Sequence, residues 1–154
     1  MLRFALAFCA LTVALFAAEL TPPGQRYLVE PWTALVARVA TATMQAFDPG
    51  IVAMGSTVIS PSGFAVTILA GCNGVEAMIV LAAAMLAFPA PWKHRLIGVV
   101  LGIAAIQVLN LARIVSLFYL GQWDRDVFEW AHLYAWQALV MVDALVAWLL
   151  WLGM

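Results

Sequence analysis

The chain has 154 residues, is 66% hydrophobic and carries only 10% charged side chains, with a net charge of −1. A soluble domain of this size needs more charge than that to wet its surface, and the mean hydropathy of +1.03 agrees, so composition excludes a water-soluble globule and defines an integral membrane protein in contact with the lipid bilayer. No long basic run is present to track phosphates, which excludes nucleic acid as a partner.

In chain order, the first apolar segment runs from Leu2 to Leu20, with Arg3 as its only basic residue. Its length favours an uncleaved span over a signal peptide, although Ala17 and Ala18 are the small residues a cleavage site uses. Thr21-Pro22-Pro23-Gly24 breaks the chain. From Tyr27 to Phe47 the residues Leu28, Trp32, Leu35, Val36, Val39 and Phe47 recur at helical spacing among Arg26, Glu30, Arg38 and Gln45. That pattern predicts an amphipathic helix lying on the membrane surface. Asp48-Pro49-Gly50 ends it. Two β-like runs follow, Ile51–Ser60 and Phe64–Ala70, joined by Pro61-Ser62-Gly63, and they read as a hairpin leading into Gly71-Cys72-Asn73-Gly74.

The second apolar segment covers about 75–88 and contains Glu76; Pro89-Ala90-Pro91 and the cationic Lys93-His94-Arg95 close it. The third covers about 96–120 and contains Gln107, Asn110 and Arg113. A polar loop, Gly121 to Asp126, precedes the fourth at about 127–152, with His132 near its start and Asp143 deeper in. The fold class is therefore an all-α integral membrane protein. It is a single domain over 1–154 with about four transmembrane helices (spans about 2–20, 75–88, 96–120 and 127–152). An extracytoplasmic insert at 21–71 carries the amphipathic helix and a small β-hairpin. Lys93, Arg95 and Arg3 place both chain ends in the cytoplasm by the positive-inside rule.

That threading brings Cys72, Arg113 and His132 to one layer of the outer leaflet, from three different segments. Taken singly, each has a plain structural reading: a packing cysteine, a snorkelling arginine, a wetted interfacial histidine. An arginine within a span is the hardest to dismiss, since it costs about 2.5–3.5 kcal/mol at the bilayer centre even on lenient scales. Together, a thiol, a fixed cation and an imidazole are the parts of a cysteine acyl-transfer site. Gly71 and Gly74 permit a sharp entry into the next helix, next to which Cys72 gains thiolate character from the helix dipole. Asn110 lies one turn from Arg113, and Glu76 lies one turn below Cys72, where it is placed to pair with Arg113. Asn73 is a supporting residue of the same loop. Asp143 reads as a packing or helix-pairing residue. Cys9 sits too far from Cys72 for a disulfide. No spacing of Cys, His or acids suits a metal, and no cofactor motif appears.

Gly71-Cys72-Asn73-Gly74, Asn110-Leu111-Ala112-Arg113-Ile114 and His132 at the head of the next span resemble the exosortase/archaeosortase family over roughly residues 50–135, and the compact size resembles its short exosortase H type. Many members have about twice as many spans, a portion this chain lacks. The resemblance implies a membrane-embedded cysteine protease and transpeptidase of the cell inner membrane, its active site facing the periplasm or exterior. Its partners would be exported proteins ending in a short motif, a transmembrane helix and a basic tail. The catalytic Cys, Arg and His would be Cys72, Arg113 and His132. Two other classes stay open on the residues alone: a non-catalytic membrane assembly protein whose polar residues join helices, and a small transporter using Glu76, Arg113, His132 and Asp143.

Overall fold

In the computed structural model, which describes residues 2–153, helix α1 covers Leu2–Leu20, about 28 Å of rise and long enough to cross a hydrocarbon core. The chain does not open into a loop after it. Thr21 is the single non-helical residue: its Oγ1 donates to the Ala18 carbonyl at 2.6 Å and accepts from the Gly24 N–H at 3.1 Å. Pro22 and Pro23 fall where a helix start needs no N–H, so the residues read as a breaker begin helix α2, Pro22–Gly24. A π turn, Gln25–Val29, joins α2 to α3, Glu30–Gln45, with the Glu30 N–H reaching back to the Gln25 carbonyl. Pro31 follows directly, and the widened turn accommodates a ring that a regular helix would crowd.

The buried face of α3 is Thr33, Val36, Ala37, Ala40, Thr41 and Met44, not the stripe of large apolar residues. Of that stripe Val36 is buried and Trp32 is packed at the edge, whereas Leu28, Leu35, Val39 and Phe47 are exposed. Small side chains let α3 approach the core closely, and the large ones remain outside, the disposition that suits contact with lipid.

The expected hairpin is a three-stranded antiparallel meander, β1 Val52–Met54, β2 Thr57–Ile59 and β3 Ala65–Thr67. Ile51–Ser60 is not one run, because Gly55, at φ +60°, turns the chain within it. Ser60 and Ser62 tie the sheet to the outer end of the third apolar segment by hydroxyl donation to Gln122 Oε1 at 2.9 and 3.3 Å. Ile51, Val58 and Ile68 pack with Val36, Ala40 and Met44 of α3 and with Ile114 and Phe118 beneath them.

Helix α4, Val75–Ala87, has 13 residues, about 20 Å, against the roughly 30 Å of a hydrocarbon core. Among the described residues there are thus three helical runs long and apolar enough to cross a membrane, Leu2–Leu20, Trp92–Trp123 and Arg125–Leu152, plus this short apolar helix, rather than four of equal standing. Arg95 closes the lower end of α4, donating from Nε to the Ala90 carbonyl at 2.8 Å and from Nη1 to the Leu86 carbonyl at 2.9 Å. Helix α5, Trp92–Trp123, runs 32 residues and absorbs most of the polar loop. Only Asp124 separates it from α6, Arg125–Trp130, and its Oδ1 caps that helix by accepting from the Asp126 and Val127 N–H groups at 2.8 and 3.1 Å. A second π turn, Ala131–Ala135, leads into α7, Trp136–Leu152. Leu81, Met85, Ile106 and Trp151 form a second core where α4, α5 and α7 meet.

Candidate functional site

The loop between β3 and α4 is held from every side. Gly71 and Gly74 both adopt positive φ, +84° and +81°, a conformation other residues reach only at a cost of about 1–2 kcal/mol. The Gly71 N–H donates to Glu76 Oε1 at 2.6 Å, and the Cys72 N–H donates to the Leu69 carbonyl at 3.0 Å. Asn73 is fully buried. Its Oδ1 accepts from the Val75 N–H at 3.0 Å, its Nδ2 donates to Thr33 Oγ1 at 2.9 Å, and its carbonyl accepts from Trp32 Nε1 and Gln107 Nε2 at 3.3 and 3.2 Å. Asn73 therefore fixes the loop to α3 and α5 and turns away from the thiol it follows. Trp32, Thr33 and Gln107 are the residues that sequence reasoning gave no part in the site. A buried asparagine needs partners for every polar atom, but nothing in the sequence says which helices supply them.

The loop presents Cys72, half-buried, with Sγ 3.6 Å from His132 Nε2 and 3.8 Å from Arg113 Nη2. Two polar residues, 41 and 60 positions from the cysteine in sequence, thus meet at one sulfur. Cys72 stands two residues before the Gly74 cap of α4, so it precedes the helix N-terminus rather than occupying it, and the cation and imidazole are its immediate electrostatic partners. His132 lies in the π turn, and the Phe128 ring stacks on it at 5.7 Å and 12°. Arg113 lies ten residues below the outer end of α5, roughly 15 Å down the helix, beneath the layer made by α3 and the sheet.

Arg113 and Asn110 are nearly inaccessible, at 4% and 3% exposure, yet Arg113 Nε and Asn110 Nδ2 have no hydrogen-bond partner. Buried donors left unmatched each cost about 1–3 kcal/mol, and one of the two belongs to the guanidinium that contacts the thiol. Both residues line a cavity of about 500 Å³ between α4, α5 and α7, whose walls also include Gly71, Gly74, Glu76 and Asp143. The ion pair between Glu76 and Arg113 that helix spacing suggested does not form; Glu76 is spent on the Gly71 N–H, and the ion pair present among the described residues is Arg125–Glu129, on the surface. Cys9 is exposed on α1 and both cysteines are free thiols. Among the described residues no group of three or more His, Cys, Asp or Glu gathers as metal ligands.

The architecture is thus that of a small helical membrane protein with a thiol, an imidazole and a guanidinium at one point. The family model for transmembrane exosortases, EpsH type, matches residues 1–152, and the chain belongs to that family, one of cysteine-type sorting transpeptidases. The match extends well beyond residues 50–135, taking in α1 and all of α7. No curated protein and no solved structure matches the chain.

Proposed function

We propose that the protein is a membrane-embedded cysteine transpeptidase or protease that cleaves the C-terminal sorting signal of exported proteins through a thioester on Cys72. The observation that carries this reading is the approach of His132 Nε2 and Arg113 Nη2 to one sulfur, at 3.6 and 3.8 Å. His132 takes the thiol proton, and the Sγ electron pair attacks a peptide carbonyl carbon. The carbonyl oxygen becomes an oxyanion, for which Asn110 Nδ2 and Arg113 Nε are the unmatched donors; such donors act strongly where water is excluded. The tetrahedral adduct collapses as the C–N bond breaks and the imidazolium gives its proton to the leaving amine. An acceptor amine or water then attacks the thioester, His132 takes the proton of that nucleophile, and the C–S bond breaks to restore the thiol.

Lys93, Arg95 and Arg3 lie toward the end of the bundle away from Cys72, which supports a site facing the periplasm or exterior of an inner-membrane protein. Its partners in this reading are exported proteins carrying a short motif, a transmembrane helix and a basic tail. The test is Cys72→Ala in cells producing a tagged candidate substrate. Processing stops while the variant still inserts, and mass spectrometry of the parent enzyme finds an acyl adduct on Cys72. Continued processing by the alanine variant overturns the nucleophile assignment.

A further inference from the structure

The cavity beside Arg113 has more structure than a nucleophilic attack requires. It begins at Gly71, which precedes the cysteine, and at Arg113, whose Nη2 lies 3.8 Å from Sγ, while Cys72 and His132 do not themselves line it; it continues down between α5 and α7 past Asn110 to Asp143. On α7 the distance from Trp136 to Asp143 is seven residues, about 10 Å. The walls between are apolar apart from Glu76 and Gln137, and Leu139, Val142 and Val146 on α7 are exposed, so the cavity opens sideways where lipid would be. A spanning helix about 30 Å long and 10 Å across fills roughly 2,400 Å³; the 500 Å³ here takes about a fifth of one, or some four residues. An extended strand of three residues also covers about 10 Å. Volume and length each admit a short segment of about three or four residues, not a whole helix.

The two ends differ in chemistry. At the thiol end, two donors buried by more than nine-tenths, Arg113 Nε and Asn110 Nδ2, lack acceptors. At the far end sits Asp143, an acceptor in a membrane-spanning helix with no cation paired to it among the described residues. Unpaired acids within spans are expensive and face cavities that use them.

We propose that this cavity is the subsite for about four apolar residues of the membrane-anchored substrate next to the scissile bond, and that Asp143 is a specificity-determining residue that reads a hydrogen-bond donor about three residues from the scissile carbonyl. The proposal rests on the thioester reading above. The remainder of the substrate helix stays in lipid, reached through the gap beside Leu139 and Val142.

The experiment uses alkyl methanethiosulfonates on the full-length Cys9→Ser protein in detergent. The Cys72 thiolate attacks the sulfenyl sulfur, the new S–S bond forms, and methanesulfinate leaves. Methyl, hexyl and 6-aminohexyl reagents are compared by rate, with the site of labelling located by mass spectrometry. Ala77→Leu narrows the cavity, and Val142→Phe does so from its open side at a position that tolerates bulk. Either variant slows the hexyl reagent about tenfold and leaves the methyl rate unchanged. Asp143→Leu lowers the ratio of aminohexyl to hexyl rate about tenfold without slowing the methyl reagent. Equal slowing of hexyl and methyl, or no slowing of either, overturns the subsite. An unchanged ratio in Asp143→Leu overturns the role of Asp143. Selective loss of hexyl labelling on adding phospholipid shows an acyl chain as the occupant and overturns the peptide. Failure of the catalytic reading shows separately, as cleavage retained by Cys72→Ala.

Discussion

Replacing Asn73 with alanine should loosen the nucleophile loop without touching the nucleophile. The substitution leaves the two bonds that Trp32 and Gln107 make to the Asn73 carbonyl and removes two made by the side chain. One is the bond from Nδ2 to Thr33 Oγ1 at 2.9 Å. Its loss costs about 1 kcal/mol, because the Thr33 hydroxyl keeps its own bond to the Val29 carbonyl at 2.7 Å. The other is the bond that Oδ1 accepts from the Val75 N–H at 3.0 Å. Val75 is buried, so its N–H is stranded, at about 1–3 kcal/mol. The sum is about 2–4 kcal/mol. Thr33→Ala alone should cost about 1–3 kcal/mol, because it strands the buried Asn73 Nδ2, and the double variant should show a coupling of about 0.5–1.5 kcal/mol. The assay is reversible unfolding in mixed detergent micelles followed by tryptophan fluorescence, to which Trp32 contributes from α3, where its Nε1 bonds the loop. An Asn73→Ala variant within about 0.5 kcal/mol of the parent, with no coupling to Thr33, refutes the account of how the loop is held.

Three further outcomes are expected. Arg113→Lys should lower the rate of substrate cleavage by at least about 10²-fold with insertion unchanged, since an ammonium cannot serve the sulfur from Nη2 and an oxyanion from Nε together; a rate within about threefold of the parent reduces Arg113 to a charge. Arg95→Ala should destabilise the fold by about 1–3 kcal/mol in the same unfolding assay by uncapping α4, with Arg95→Lys recovering under half of it. At Gly98 a methyl group would collide with the Trp151 indole, whose Nε1 donates to the His94 carbonyl at 3.1 Å. Gly98→Ala should therefore cost about 1–3 kcal/mol, yet leave the thiol-labelling rate of Cys72 unchanged, because Gly98 lies 15 residues, roughly 22 Å, down α5 from Arg113.

The membrane class, the long apolar helices and the meeting of Cys72, Arg113 and His132 were legible because they depend on quantities that the sequence carries directly: hydropathy, length and the fixed rise of a helix. Departures arose where the structure depends on pairing. Gly55 splits a run whose composition is β-like throughout, and only the register of β1 on β2 reveals the turn. The packed face of α3 is built from alanines and threonines, because a close neighbour excludes the larger residues that dominate any hydrophobic pattern. Glu76 was expected to pair with Arg113, and the backbone N–H of the left-handed Gly71 took it instead. Asn73 was legible as a supporting residue of the loop, but its partners Trp32, Thr33 and Gln107 lie on helices that no local pattern names. Neither π turn has a sequence signature beyond the Pro31 that follows the first.

The π turn at Ala131–Ala135 sets two registers on one rod. A regular helix advances by about 100° per residue, so an imidazole and a buried seam on the same uninterrupted helix could not be aimed separately. The wide turn inserts an offset between them. Within it, His132 is directed at the sulfur; below it, Trp151 is seated against α5 and Asp143 against the cavity. Changes to the lower half of the last span can thus leave the aim of the imidazole untouched.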